Sequence, residues 1–129
     1  MSEKKLNVLL VDDSRVMLTQ LERIVAQSDA AEVVGTARTG AEAVQLASQL
    51  QPDLVIMDIV MPEMDGLTAL RLLAAKHPDL RVAMLSSVGG MASRAEEAFR
   101  LGAVQVLDKP IDEAVLEALL GQECERMQS

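Results

Sequence analysis

Aromatic residues are almost missing from this chain of 129 residues, which contains one Phe, no Trp and no Tyr. Half of the residues are nevertheless hydrophobic, so the core has to be built from Leu, Val, Ile, Ala and the eight Met. That apolar share argues against a disordered chain. The length corresponds to about one domain, on a typical size of ~100–200 residues.

Positive charge is also scarce, with 12 Lys and Arg against 20 Asp and Glu, which gives a net charge of −8. No basic cluster is long enough to follow a phosphate backbone, so we expect no direct binding to nucleic acid. The single Cys124 excludes an intrachain disulfide and lacks the spacing of a zinc or redox site. The apolar run that begins at Leu6 is too short for a signal sequence or a membrane span. We therefore expect a cytoplasmic protein without membrane insertion.

Short apolar runs alternate along the chain with segments of helical periodicity. The runs have the composition of strands buried on both faces and lie at 6–11, 32–36, 53–57, 81–85 and 103–107. A segment predicted to be helical follows each run, and the last of these extends from about Asp112 to Arg126. Because strand and helix alternate, the sequence predicts an open, five-stranded parallel sheet with helices on both faces.

Polar side chains stand at the predicted carboxyl ends of the strands, where sheets of this kind place their sites. They are Asp12, Asp13, Asp58, Ser86 and Lys109. Three carboxylates in one pocket repel each other, and either protonation or a hard divalent cation would relieve this, with Mg²⁺ the better fit. A lysine and a hydroxyl beside them form an anion site, and the combination indicates phosphoryl transfer to an aspartate.

The sequence resembles the receiver domain of two-component response regulators, nearest in type to the small single-domain chemotaxis regulators. Four segments carry the resemblance, in order and each at a predicted strand end: Val11-Asp12-Asp13-Ser14, 57–66 (MDIVMPEMDG), Met84-Leu85-Ser86-Ser87 and Leu107-Asp108-Lys109-Pro110. The likeness covers about residues 6–125. It implies a flavodoxin-like, doubly wound sheet of strand order 2-1-3-4-5.

The resemblance also implies roles for individual residues. Asp58 would accept a phosphoryl group from the phosphohistidine of a histidine kinase. Asp12 and Asp13 would hold Mg²⁺ together with Asp58 and the backbone carbonyl of Val60. The Ser86 hydroxyl would bond to the phosphoryl group. Lys109 would pair first with Asp58 and then with a phosphoryl oxygen, and the Lys109–Pro110 bond is often cis in relatives.

Signalling by contact with a downstream protein is the implied output, through the face formed by helix 4, strand 5 and helix 5. No output domain is expected within residues 1–129, and no enzyme activity beyond the transfer and loss of the protein's own phosphoryl group. Size and local likeness suggest chemotaxis. Two alternatives are the receiver half of a longer DNA-binding regulator and a pseudo-receiver adaptor that takes no phosphate.

Simpler interpretations compete for several of these residues. Asp13 with Ser14 fits a helix N-cap, as does Asp65, and His77 fits a C-terminal cap. An aspartate-nucleophile phosphatase needs a second carboxylate two residues after the nucleophile, and that position is Val60. Turnover of small phosphate esters is therefore not expected.

Departures from the family pattern occur at Val106, Val60 and Val88. Val106 stands where relatives carry the Tyr or Phe that moves on activation, and a stiff β-branched side chain cannot replace that ring. We therefore expect activation to act through Ser86 and the 88–90 loop. Val60 and Val88 are apolar at positions that tune hydrolysis, so the sequence predicts slow self-dephosphorylation.

Overall fold

Strands and helices alternate strictly in the fold. A computed structural model of the chain describes residues 4–87 and 92–128. The strands are β1 (Leu6–Val11), β2 (Ala31–Ala37), β3 (Leu54–Asp58), β4 (Arg81–Ser86) and β5 (Gln105–Asp108). The helices are α1 (Arg15–Ala26), α2 (Gly40–Leu50), α3 (Gly66–Lys76), α4 (Ala92–Arg100) and α5 (Glu113–Gln128).

All strand pairs of the sheet are parallel, and their order is β2-β1-β3-β4-β5. The predicted fold class, an open doubly wound sheet of order 2-1-3-4-5, is confirmed. Since β1 and β3 are neighbours in the sheet, the residues that follow them meet at one point of the carboxyl edge.

Side chains of the central strands alternate between two cores. In β1, Val8 and Leu10 pack in the layer that α1 and α5 cover. Leu9 and Val11 point to the other face, which α2, α3 and α4 cover. This alternation explains why the strands are apolar throughout, because each successive side chain enters a buried layer. We call the layer covered by α2, α3 and α4 the second core layer. Methionine takes the place of aromatic residues there, and Met57 and Met84 are fully buried.

The start of β5 was predicted two residues too early. The amide of Ala103 donates to the Ala98 carbonyl at 2.9 Å and that of Gly102 to the Phe99 carbonyl at 3.1 Å. These bonds form a Schellman motif that ends α4, and Gly102 supplies the positive φ of 113° that the motif needs. An apolar pair such as Ala103 and Val104 does not distinguish a strand start from a helix end.

Side-chain caps begin α2 and α3, and the cap at Asp65 was predicted from the sequence. The Thr39 hydroxyl accepts from the Glu42 amide at 3.1 Å, and the Asp65 carboxylate accepts from the Thr68 amide at 2.9 Å. The Glu42 side chain departs from the usual capping box, since it accepts from the amide of Arg38 at 2.9 Å.

His77 occupies the C-cap of α3, as predicted, and its backbone amide donates to the Leu73 carbonyl at 2.7 Å. Its ring Nε2 lies 3.2 Å from the Ser48 hydroxyl and so joins α3 to α2. No helix among residues 4–87 and 92–128 is both long enough and apolar enough to cross a membrane.

Candidate functional site

The polar residues singled out from the sequence stand at the carboxyl edge of the sheet. Asp12 directly follows β1, and Asp58 is the last residue of β3. Ser86 ends β4, and Lys109 directly follows β5. Parallel pairing of these strands brings residues from four separate parts of the chain to the same edge.

Three carboxylates form a compact group at the centre of that edge. Asp12, Asp13 and Asp58 each offer an oxygen, and these oxygens lie within 4.8 Å of one another. Asp12 is fully buried and Asp58 is 4% exposed, whereas Asp13 is the most exposed of the three. An all-oxygen set with one open side suits a hard divalent cation that keeps several waters. The donor set therefore fits Mg²⁺.

Ser14, and not Asp13, is the N-cap of α1. The Ser14 hydroxyl accepts from the Met17 amide at 3.2 Å. The Ser14 amide donates to Asp12 Oδ1 at 2.9 Å and fixes that carboxylate. The alternative interpretation of Asp13 as the helix cap is therefore wrong, and its carboxylate belongs to the acidic group.

Lys109 binds two of the three carboxylates. Its Nζ lies 2.9 Å from Asp58 Oδ2 and 3.1 Å from Asp12 Oδ2. The contact with Asp58 follows the family pattern, whereas the contact with Asp12 was not predicted from the sequence. The Lys109–Pro110 peptide bond is cis, and the Lys109 amide donates to the Ser86 carbonyl at 2.7 Å.

Burial sets the ionisation behaviour of this group. Desolvation raises the pKa of Asp58 above its ordinary value, and the hydrogen bond and charge of Lys109 only partly offset that rise. Burial alone would lower the pKa of Lys109, but its hydrogen bonds and charge interactions with Asp58 and Asp12 raise it. The site thus holds a lysine that stays charged beside a carboxylate that is costly to ionise.

Ser86 and Val60 flank Asp58 in different ways. The Ser86 hydroxyl is buried and donates to the Ser87 carbonyl at 3.4 Å, a long bond. The Val60 amide donates to Asp58 Oδ1 at 3.2 Å, while the Val60 side chain is 54% exposed. Val106 is half-buried and packs against the second core layer. The 88–90 loop, to which activation was assigned, and Val88 lie outside the described residues.

Two residues that the sequence interpretation missed support the site. Gly66 opens α3, and its amide donates to the Ile59 carbonyl at 2.7 Å. A Cβ at Gly66 would stand 2.1 Å from the carbonyl oxygen of Asp58. The second residue is Arg38, whose guanidinium donates to the Asp13 carbonyl at 3.0 Å. The motif at 57–66 contains the glycine, but no sequence signal indicates the arginine contact.

Comparison with known proteins gives consistent matches. The family model for the response regulator receiver domain matches residues 8–121. The chemotaxis protein CheY of Listeria monocytogenes is 44% identical over 115 residues, which are 88% of this chain and 95% of that protein. A CheX-CheY-BeF3-Mg+2 complex from Borrelia burgdorferi contains a chain with a TM-score of 0.83 and 33% identity, with 91% of this chain and 88% of that chain covered.

Several relatives are much longer than this chain, and the match covers 29–32% of these protein-glutamate methylesterase/protein-glutamine glutaminases. Protein-glutamate methylesterase/protein-glutamine glutaminase 2 of Carboxydothermus hydrogenoformans is 43% identical over 106 residues. The match covers 82% of this chain but 30% of that enzyme. The similarity thus concerns about a third of the methylesterase.

Proposed function

Because this chain belongs to the response regulator receiver domain family and acts in phosphorylation-activated two-component signalling, we propose that Asp58 is its phosphoacceptor. The observation that carries the proposal is the position of the Asp58 carboxylate. It lies at the end of β3, bonded to Lys109 at 2.9 Å and grouped with Asp12 and Asp13. A nucleophile, a fixed cation and a cation-binding carboxylate set are the parts that phosphoryl transfer requires.

In the proposed reaction, an oxygen of Asp58 attacks the phosphorus of a phosphohistidine on a histidine kinase. The O–P bond forms as the N–P bond breaks, and the imidazole leaves. Mg²⁺, held by Asp12, Asp13, Asp58 and the Val60 carbonyl, would neutralise charge on the phosphoryl oxygens. Asp12 and Asp13 would share that cation with Asp58, and its charge would offset the repulsion among the three carboxylates.

Lys109 and Ser86 would then hold the new acyl phosphate. Lys109 already contacts Asp58 Oδ2, so a small shift transfers its hydrogen bond to a phosphoryl oxygen. The Ser86 hydroxyl gives up a bond of 3.4 Å, which is weak enough to be exchanged for a stronger one to the phosphoryl group. Movement of Ser86 would report phosphorylation to the surface.

Proteins of this family interact with histidine kinases and with downstream targets. We assign the target surface of this chain to α4, β5 and α5. Phe99 on α4 and Val115 on α5 are each 48% exposed. Val106, Pro110 and Val115 line a shallow cavity of 270 Å³ on the same side. A protein partner in chemotaxis and a cytoplasmic location are part of this proposal, as is an output by contact with a protein.

Phosphorylation of Asp58 is tested by intact mass after incubation with Mg²⁺ and acetyl phosphate. We expect one added phosphoryl group on the wild type and none on Asp58→Asn or after chelation of Mg²⁺. Asp65→Asn is the matched control and should be phosphorylated normally, because asparagine retains the N-cap bond of α3. An adduct that persists in Asp58→Asn would contradict the assignment. A wild type that takes phosphate neither from acetyl phosphate nor from a histidine kinase would favour the pseudo-receiver alternative.

The lifetime of the phosphoryl group depends on Val60 in this proposal. The valine side chain is exposed beside Asp58 and has no polar atom that could orient an attacking water. Val60→Asn should therefore speed the loss of the phosphoryl group about three- to tenfold, a modest share of what positioned proton-transfer groups contribute. Decay is followed by phosphate release after removal of the donor. The same substitution at Val115, a comparably exposed valine, should leave the rate unchanged, and equal rates for all three proteins would contradict the idea.

A further inference from the structure

Arg38 lies at the carboxyl edge of the sheet but belongs to none of the family motifs described above. It directly follows β2, and its side chain is exposed. Its Nη2 donates to the backbone carbonyl of Asp13 at 3.0 Å across 25 residues of sequence. We propose that Arg38 is a positioning residue for the cation-binding carboxylates. This inference rests on the proposed function, because it concerns how Asp12 and Asp13 are held for Mg²⁺.

The peptide group between Asp13 and Ser14 is held at both ends. Its carbonyl accepts from Arg38, and its amide, which belongs to Ser14, donates to Asp12 Oδ1 at 2.9 Å. A positively charged donor on the carbonyl polarises the peptide group and strengthens its amide as a donor. Arg38 therefore acts on two carboxylates at once: it fixes the backbone that carries Asp13, and it strengthens the bond that orients Asp12.

Hydrogen bonds also fix the backbone of Arg38, and this fixes the position of its Cα and Cβ. The preceding carbonyl, that of Ala37, accepts from the Asp12 amide at 3.1 Å. The Arg38 amide donates to Glu42, whose own amide is held by the Thr39 hydroxyl. This chain of bonds connects the start of α2 to the acidic group.

The direction in which removal of Arg38 changes the Mg²⁺ affinity distinguishes a positioning role from simple charge repulsion. By charge alone, Arg38 repels a cation, so removing it would strengthen Mg²⁺ binding. If Arg38 positions the carboxylates, removing it weakens binding. Groups that orient metal ligands from outside the coordination shell typically contribute about 10–100-fold in affinity. We expect about three- to tenfold here, because the contact is exposed and acts through the backbone.

The test is isothermal titration of phosphoryl-free protein with Mg²⁺. Arg38→Gln should bind Mg²⁺ about three- to tenfold more weakly than the wild type. Arg15→Gln is the matched control, an exposed arginine two residues after Asp13 whose side chain forms no hydrogen bond or ion pair with the described residues. It should bind Mg²⁺ as tightly as the wild type or more tightly. A folded Arg38→Gln protein with unchanged or increased affinity would overturn the inference.

A second measurement needs no metal. The amide proton and nitrogen resonances of Ser14 report the hydrogen bond to Asp12, and we expect Arg38→Gln to move them in metal-free protein, while Arg71→Gln, at an exposed position of α3, does not. Unmoved resonances would also overturn the inference. A wild type that binds no Mg²⁺ would instead contradict the proposed function, and the Ser14 resonances would still decide whether Arg38 holds the peptide group.

Discussion

Replacement of Lys109 by methionine should lower the free energy of unfolding of the metal-free protein by about 3 kcal/mol at pH 7. Lys109 is the cation that lies within 3.1 Å of both Asp12 and Asp58, and those side chains are almost fully buried. Methionine preserves the aliphatic part of the lysine but leaves two buried carboxylates facing each other. Urea unfolding followed by far-ultraviolet circular dichroism measures the effect, since the chain has no Trp to serve as a fluorescence probe.

The pH dependence of this loss identifies its cause. Burial raises the pKa of Asp58, so the folded protein binds a proton at pH values where the unfolded chain has lost it. Stability therefore falls as the pH rises from the ordinary carboxyl pKa through the raised one. Without the offsetting lysine, the pKa of Asp58 rises further. The difference between wild type and Lys109→Met should consequently shrink as the pH is lowered from 7 toward 4.

Ionisation of Lys109 does not contribute to the change in this stability difference between pH 7 and pH 4. The pKa of Lys109 is raised in the fold, so its stabilising effect is fully present below the pKa of an unfolded lysine and is lost only at alkaline pH. Lys76→Met serves as the control, because Lys76 is an exposed residue in the last turn of α3 and should cost at most about 0.5 kcal/mol. A loss that is equal at pH 4 and pH 7 would contradict the electrostatic explanation. Saturating Mg²⁺ should restore part of the stability, because it replaces the missing positive charge.

The alternation of strands and helices predicted a parallel sheet with helices on both faces, whereas the strand order 2-1-3-4-5 was implied by the resemblance to receiver domains. Apolar runs such as 6–11 and 53–57 have the composition of strands covered on both faces, and the structure places them side by side within the sheet. The end of α4 was less clear, because the bonds that terminate it depend on the backbone of Gly102 and not on hydrophobic pattern. Helix and strand ends that depend on backbone conformation are therefore hard to predict from residue types alone.

The candidate site could be predicted as a set of residues but not as a set of contacts. Position after a strand indicates that Asp12, Asp58 and Lys109 share an edge of the sheet. It does not indicate which oxygens the lysine contacts, and the bond to Asp12 depends on a side-chain path that spacing cannot specify. The Arg38 contact is even harder to predict from the sequence, since an exposed arginine after a strand resembles any solvated surface residue.

Gly66 shows the same limit, because its effect on the site depends on a close backbone contact and not on residue type. Its amide bonds to Ile59 so closely that an added Cβ would lie 2.1 Å from the Asp58 carbonyl oxygen and 2.8 Å from Ile59 Cα. Both are backbone atoms, which cannot rotate away as a flexible side chain would. Gly66→Ala should therefore destabilise the protein by about 3 kcal/mol, the upper end of the usual cost of overpacking.

A matched glycine separates this steric effect from the general effect of the substitution. Gly121 lies inside α5, and a Cβ there would meet no atom within 4 Å. Gly121→Ala should stabilise the protein by about 0.5–1 kcal/mol, because alanine has the higher helix propensity. Opposite signs for the two variants in urea unfolding would support the close contact at Gly66, whereas a Gly66→Ala protein as stable as the wild type would contradict it. Since the clash falls on the backbone of Asp58, the folded fraction of Gly66→Ala should also accept phosphate from acetyl phosphate more slowly. That second effect would link the packing of α3 directly to the position of the nucleophile.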